Sequence, residues 1–360
     1  MDPQPVKQET HEAYGFLPTA LRHRHEGRVP VSAVADDGAP RAGGLGPMPG
    51  TDVAEAIKVV LGATPGLAAV PQLPARGVEA GALGRSLTLL DGLAADLQPA
   101  GWRLTDHPGV DARRARSLLA RDLETLEDEA QGFDGVLKEQ VVGPWTLAAS
   151  VELPRGERVL ADHGARRDLA ESFAAGLGKH LAVVRRRVPG ASLVVQVDEP
   201  SLPAVLGAQV RTASGYGRYR RVELAEADAL LRPVVAAIEG AGAVAAARVP
   251  SDLPVRLLRG AGFGALATDL LAVRHEDEWA EALEGGTALW LGAVDPAAPQ
   301  EQRAPRRALR ELVARLGFAV PAVADRLGVT PTRGLEDVTP HAARTALRTV
   351  AAIAADRLEE

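Results

Sequence analysis

The feature that most constrains this chain is an alternation repeated along it, in which short apolar segments recur between longer stretches with apolar residues at helical spacing. The short segments fall at 42–46, 67–72, 137–143, 193–198, 243–248, 265–269, 288–292 and 327–330. Helical periodicity marks 111–131, 166–187, 223–240, 276–284, 302–316 and 340–357, each apolar on one face and charged on the other. Strand-sized runs that are apolar throughout and separated by helices belong to a parallel sheet covered on both faces. Eight of them predict an α/β chain folded as a single (β/α)8 TIM barrel over residues 41–360, with an open doubly wound sheet as the alternative. The first two strands are short and rich in Gly or Ala.

Two regions stand outside this repeat. Residues 1–40 mix charge, Pro and Gly around a short apolar patch and read as a partly ordered N-terminal extension. His23 and His25 lie there with no nearby acid or Cys, as a solvated pair rather than a metal site. Residues 78–135, between the second and third strands, form an insertion expected to hold helical hairpins over the barrel mouth.

Composition limits the partners. With 41 Lys plus Arg against 47 Asp plus Glu, a formal net charge of -6 gives no global basic field, so no nucleic-acid partner is expected. No apolar run reaches the roughly 18 residues needed to span a bilayer, and the N-terminus lacks a signal peptide's pattern. The expectation is a cytoplasmic protein acting on a small-molecule substrate, away from membranes, with its oligomeric state open. The sequence has no Cys, which excludes disulfides, Cys-ligated zinc and thiol nucleophiles together.

In such a barrel the chemistry sits in the loops after the strands. There the chain reads GPMPG (46–50), PQLPARG (71–77), VGPWT (142–146), VDEPSLP (197–203), ARVPSD (247–252), TDLL (268–271), GAVDP (292–296) and VTPTRGLEDVT (329–339). Asp198 and Glu199 end an apolar strand, where paired acids serve as a general base and an amine anchor, or else cap a helix or pair with Arg. Lys138 lies on the third strand as an anion-orienting or Schiff-base amine, or as a salt-bridge partner of Glu139. Trp102, Trp145 and Tyr216 flank these loops in a chain only 3% aromatic; they are candidate surfaces for a planar ligand, or core.

Taken in order, G-x-MPG, LPARG, QPAGWRL (98–104), GPWTLA (143–148), Q-VDEP-LP (196–203), TASGYGR (212–218) and VTPT-GL (329–335) resemble the short, single-barrel form of the cobalamin-independent methionine synthase family. The resemblance implies a barrel in which zinc binds the thiolate of homocysteine and lowers its pKa for attack on the methyl group of 5-methyltetrahydrofolate. It also implies zinc ligands from H-x-C on the fifth strand, an acid after the sixth and a Cys after the eighth. Here H-x-C falls on Ala247, Arg248 and Val249, or with a slip of one residue Arg248 takes a ligand position, and the Cys position holds Arg333. Asp269 keeps the acid, and one carboxylate does not make a tetrahedral site. Of the substrate contacts that the resemblance implies, Asp198 is present, Gln72 stands for a Glu and Pro47 for a Ser.

The expectation is therefore an enzyme related to methionine synthase but repurposed, without zinc, for a small polar or anionic metabolite. Asp198, Arg333 and Asp269 are the catalytic candidates, and Gln72, Glu199, Trp102, Trp145, Tyr216, Lys138 and Arg248 the substrate-binding ones. No cofactor is expected, with folate as the one exception left open. The alternatives are methyl transfer without the family zinc and a non-catalytic binding protein in which Arg333 merely pairs with Asp269 or Glu336.

Overall fold

A computed structural model of the chain describes residues 39–356. The expected N-terminal extension, with His23 and His25, falls almost wholly outside them. Eight parallel strands make one curled sheet: β1 (Arg41–Ala42), β2 (Ala68–Ala69), β5 (Val136–Val142), β6 (Ser192–Asp198), β7 (Val244–Arg248), β8 (Ala265–Asp269), β9 (Ala288–Val294) and β10 (Leu327–Pro331). β3 (Ala94–Gln98) and β4 (Gly101–Thr105) form a separate antiparallel pair. The barrel runs β1-β10-β9-β8-β7-β6-β5-β2. Its seam lies beyond the short ends of β1 and β2, where Pro47 bridges Gln72 in parallel: Met48 N donates to Gln72 O (2.8 Å) and Gln72 N to Gly46 O (2.9 Å). The two weakest strands of the sequence are thus the two that meet at the closure.

Each main strand is buried on both faces, which is why its sequence reads as an unbroken apolar run. Alternate residues of the pleat divide between two cores. Leu67, Val136, Val194, Val244, Ala246, Ala265, Ala267, Ala288 and Trp290 form one cluster inside the barrel. Four alanines there leave room for a single indole. The intervening residues, among them Leu137, Val195, Ala247 and Leu266, join the larger core between sheet and helices.

The helices between the strands are α1 (Val53–Ala63), α2 (Ala82–Leu87), α3 (Val110–Glu129), α4 (Pro144–Ser150), α5 (His163–Arg187), α6 (Leu202–Leu206), α7 (Leu224–Gly240), α8 (Val255–Ala261), α9 (Glu276–Glu284), α10 (Arg303–Arg315) and α11 (Pro340–Ala355). Local signals fix their ends. Asp52 accepts from Glu55 N at 3.0 Å, Asp162 from Ala165 N at 2.7 Å and Thr339 from Ala342 N at 3.2 Å, each satisfying a free N–H of a first turn. Gly262, at φ 118°, ends α8 in a left-handed conformation that a side chain would strain.

The insertion differs from expectation. Only part of 78–135 is helical, and the β3–β4 hairpin replaces a helical pair. Its sequence alternates with period two around the Pro99-Ala100 turn, and it gains a further partner from the β5–α5 connection: Leu104 N donates to Glu152 O (2.7 Å) and Glu152 N to Trp102 O (2.9 Å). Asp96 then takes the first amides of α3, Asp111 N at 3.1 Å and Ala112 N at 3.3 Å. Among the described residues no helix is long and apolar enough to cross a membrane.

Candidate active site at the barrel mouth

Strand parity decides which side chains reach the barrel axis. On β5 the inward residues above Val136 are Lys138 and Gln140, on β6 Gln196 and Asp198 above Val194, and on β7 Arg248 above Ala246. Polar residues thus crown an apolar barrel floor at the C-terminal ends of the strands, where barrels of this class place their chemistry.

These side chains form a connected line. Lys138 Nζ, fully buried, donates to Gly44 O and to Gln196 Oε1, both at 2.6 Å, and stands 5.6 Å above the centroid of the Trp290 ring. With its oxygen occupied, Gln196 must turn its amide nitrogen upward, and Nε2 donates to Asp198 Oδ1 at 2.8 Å. Asp198 Oδ2 takes no hydrogen bond from the described residues, and the side chain is partly open to solvent. Arg248 is the register partner of Asp198 on β7. Its guanidinium lies 4.0 Å from Asp269 Oδ1 and reaches Thr332 O at 3.4 Å. The lining is therefore a lysine, an amide, a carboxylate, a guanidinium and a second carboxylate in sequence around the mouth.

Burial dominates the electrostatics. It lowers the Lys138 ammonium to about 7, with Asp198 acting to raise it and Arg248 to lower it. Burial raises the Asp198 carboxyl above its ordinary range, while Arg248, Gln196 and Lys138 pull it down. Asp269 is likewise raised by burial and held back by Arg248. Burial thus acts against the charged form at both ends of the line, the Lys138 amine and the Asp198 carboxyl.

The structure brings only some of the expected residues together. Asp198, Asp269, Lys138 and Arg248 meet at the mouth, and Gln72 lies at its seam, donating Nε2 to Gln140 O at 3.1 Å. Arg333 does not occupy the centre: it is exposed and pairs with neither Asp269 nor Glu336, and the guanidinium beside Asp269 belongs to Arg248. Ala247 and Val249 belong to the outer core, so the even positions of β7, not these two, face the axis. Glu199 points away from the mouth. It is fully buried and receives Trp145 N (2.9 Å), Thr146 N (2.7 Å) and Thr146 Oγ1 (2.7 Å), anchoring the first turn of α4.

The aromatic candidates are also reassigned. Trp145 is fully buried with Nε1 on Ala227 O (3.1 Å), and Trp102 is buried in the hairpin's packing against α2 and α3. Tyr216 stands wholly exposed in the loop before α7. Gln196, Gln140 and Trp290, which the sequence reading does not single out, share the barrel interior with Lys138. Gln196 was detectable: it is the polar residue two places before Asp198 in an otherwise apolar strand, and so shares its face.

The donor set does not fit the zinc that the sequence resemblance implies. Arg248 stands where a cation would have to sit beside Asp198 and Asp269, and among the described residues no three His, Cys, Asp or Glu side chains gather to hold a metal.

With this geometry the chain superposes on a B12-independent methionine synthase from Shewanella sp. W3-18-1, solved in complex with selenomethionine, at a TM-score of 0.56 and 13% identity, covering 88% of this chain and 97% of that one. What the two share is the barrel. A beta-1,4-D-mannanase from Cryptopygus antarcticus (TM-score 0.44, 11% identity, 87% of this chain and 90% of that one) and a GH5_18 protein from Bifidobacterium longum subsp. infantis (0.42, 12%, 88% and 79%) follow at lower scores. No protein-family model matches the chain, and no curated protein matches it in sequence.

Proposed function

We propose that the barrel mouth is the active site of a zinc-independent enzyme acting on a small polar metabolite, with Asp198 as the proton-transferring group and Arg248 as the anion contact. The observation that carries this reading is the Lys138–Gln196–Asp198 line ending in a half-buried carboxylate with one oxygen that takes no hydrogen bond from the described residues. A lysine buried at the centre of an apolar barrel costs stability and does nothing for packing that a methionine would not do better. Its hydrogen bonds instead fix the orientation of Gln196, and through it that of Asp198. Arg248 supplies a planar donor fork suited to a carboxylate or a developing oxyanion, and Asp269 holds that fork from the other side.

Methyl transfer to a metal-free acceptor is less well supported, because all four tryptophans are buried and offer no stacking face to a pterin.

The test is a thermal-shift panel of amino acids, hydroxy acids, dicarboxylates and reduced folates, followed by turnover assays on any that bind. At least one should raise the melting temperature of the wild type, lose that effect in Asp198→Asn and in Arg248→Gln, and keep it in Arg333→Ala. Binding that ignores both mouth substitutions, or no binding across the panel, would overturn the assignment.

A further inference from the structure

The connection from β6 to α7 carries a second feature that the mouth does not use. Residues 209–221 read QVRTASGYGRYRR, with four arginines and no acid. They fold back as a short tongue in which Arg211 and Arg218 are antiparallel bridge partners. Thr212 N donates to Gly217 O (3.0 Å) and Tyr219 N to Val210 O (2.9 Å), so the bonds flank the arginine pair. Arg211 and Arg218 are thus a non-hydrogen-bonded pair, the kind in which facing side chains stand closest.

The tongue is braced. Thr212 Oγ1 accepts from Gly217 N at 3.2 Å, Gly215 turns the tip at φ +76°, and the Tyr219 hydroxyl donates to Glu157 (2.7 Å) while accepting from Arg158 N (3.2 Å). Glu157 is thereby engaged by the tyrosine hydroxyl. Arg211, Arg218, Arg220 and Arg221 are all exposed, and none makes an ion pair with any described residue. Like charges directly opposite each other on paired strands destabilise them unless something of opposite sign lies between. A braced turn that sets two arginines directly across from each other, neither with an ion-pair partner among the described residues, is therefore built at a cost that an anion would relieve.

We propose that this tongue is a phosphate clamp, in which the guanidiniums of Arg211 and Arg218 close on a phosphate or diphosphate group of a small molecule. Paired planar forks match phosphate oxygens bidentately, and Arg220 and Arg221 follow immediately to meet the charge of a second phosphate. The tongue leaves the strand that ends in Asp198, which puts it at the same end of the barrel as the mouth.

Calorimetric titration of the full chain with pyrophosphate, phosphate and citrate at low ionic strength tests this. Pyrophosphate should bind more tightly than phosphate and much more tightly than citrate. The double substitution Arg211→Gln/Arg218→Gln should weaken pyrophosphate binding about tenfold or more. Without ligand, the same variant should melt at or above the wild-type temperature, because a like-charge pair is gone. Arg220→Gln/Arg221→Gln should weaken binding less, and Asp198→Asn should leave it unchanged, so failure at the mouth and failure at the tongue read out separately. Absence of pyrophosphate binding, binding indifferent to the Arg211/Arg218 change, equal affinity for citrate, a lower melting temperature in the double variant, or much tighter binding of single-stranded DNA would each overturn the clamp.

Discussion

Lys138 Nζ and Gln196 Oε1 lie 2.6 Å apart at the centre of the barrel, and this bond sets the orientation of everything above it. With its oxygen held from below, the amide is fixed with its NH2 turned up to Asp198. Replacing Lys138 by Met should therefore change Asp198 without touching it: turnover of any substrate found for the mouth should fall at least tenfold in kcat, with a displaced acidic limb of its pH profile, while the fold persists. An unchanged profile would show that the lysine is structural only.

The same lysine should give the protein an alkaline stability gain. Its folded pKa is about 7, below the 10.5 of the free side chain, so between those values the unfolded chain binds more protons and stability rises with pH. The full cost of burying the charge is carried below pH 7. Urea unfolding from pH 6.5 to 10 should show the rise, on the order of a few kcal/mol in all, and Lys138→Met should abolish it.

Glu199 works in the opposite window. Burial pushes it up to about 7 against the donors from Thr146 and Trp145, compared with 4.5 for the free group. The folded chain then binds the extra proton, so this contribution is fully present below pH 4.5 and is lost as pH rises through about 7. Glu199→Gln should remove that dependence. It should also cost about 1–3 kcal/mol at every pH, because an NH2 would face the amides of Trp145 and Thr146. Denaturant melts at pH 5 and pH 8 distinguish the two effects.

Arg248 and Arg333 should behave differently despite their shared charge. Arg248→Gln takes away the group that lowers both Asp198 and Asp269, so both carboxyl titrations should move upward when followed by carbon NMR. Arg333→Ala removes an exposed side chain that has no partner among the described residues and should change stability by less than about 0.5 kcal/mol.

Away from the mouth, Asp122 holds two arginines, receiving Arg76 through both oxygens (2.8 and 2.6 Å) and Arg85 at 2.6 Å in a buried setting between α2 and α3. Asp122→Asn removes the charge shared by both guanidiniums, leaving Arg85 only Glu139 at 4.0 Å, and should cost about 3–5 kcal/mol in chemical denaturation. A loss within about 0.5 kcal/mol would show that water compensates them.

Much of this architecture is a direct consequence of the sequence. Period and length alone locate the strands, because a parallel strand buried on both faces must be apolar throughout; the segment at 265–269 and the helix at 276–284 coincide with the elements observed. The same local logic puts Asp198 and Asp269 at strand ends facing one opening. Pleat parity is where local reading fails. In Val244–Arg248 every residue but the last is small and apolar, so nothing in the string says whether Ala247 or Arg248 faces the axis; one alignment of the zinc motif puts its ligand positions on Ala247 and Val249, which face the helices, and the alignment slipped by one residue puts one on Arg248, which faces the axis. Long-range contacts decided the rest. Glu199 is withdrawn from the mouth by amides more than fifty residues away, Trp145 is closed by a carbonyl in α7, and the cation beside Asp269 comes from β7 rather than from the loop after β10. Periodicity is a property of neighbours along the chain, whereas a site is made by residues that only barrel closure brings face to face.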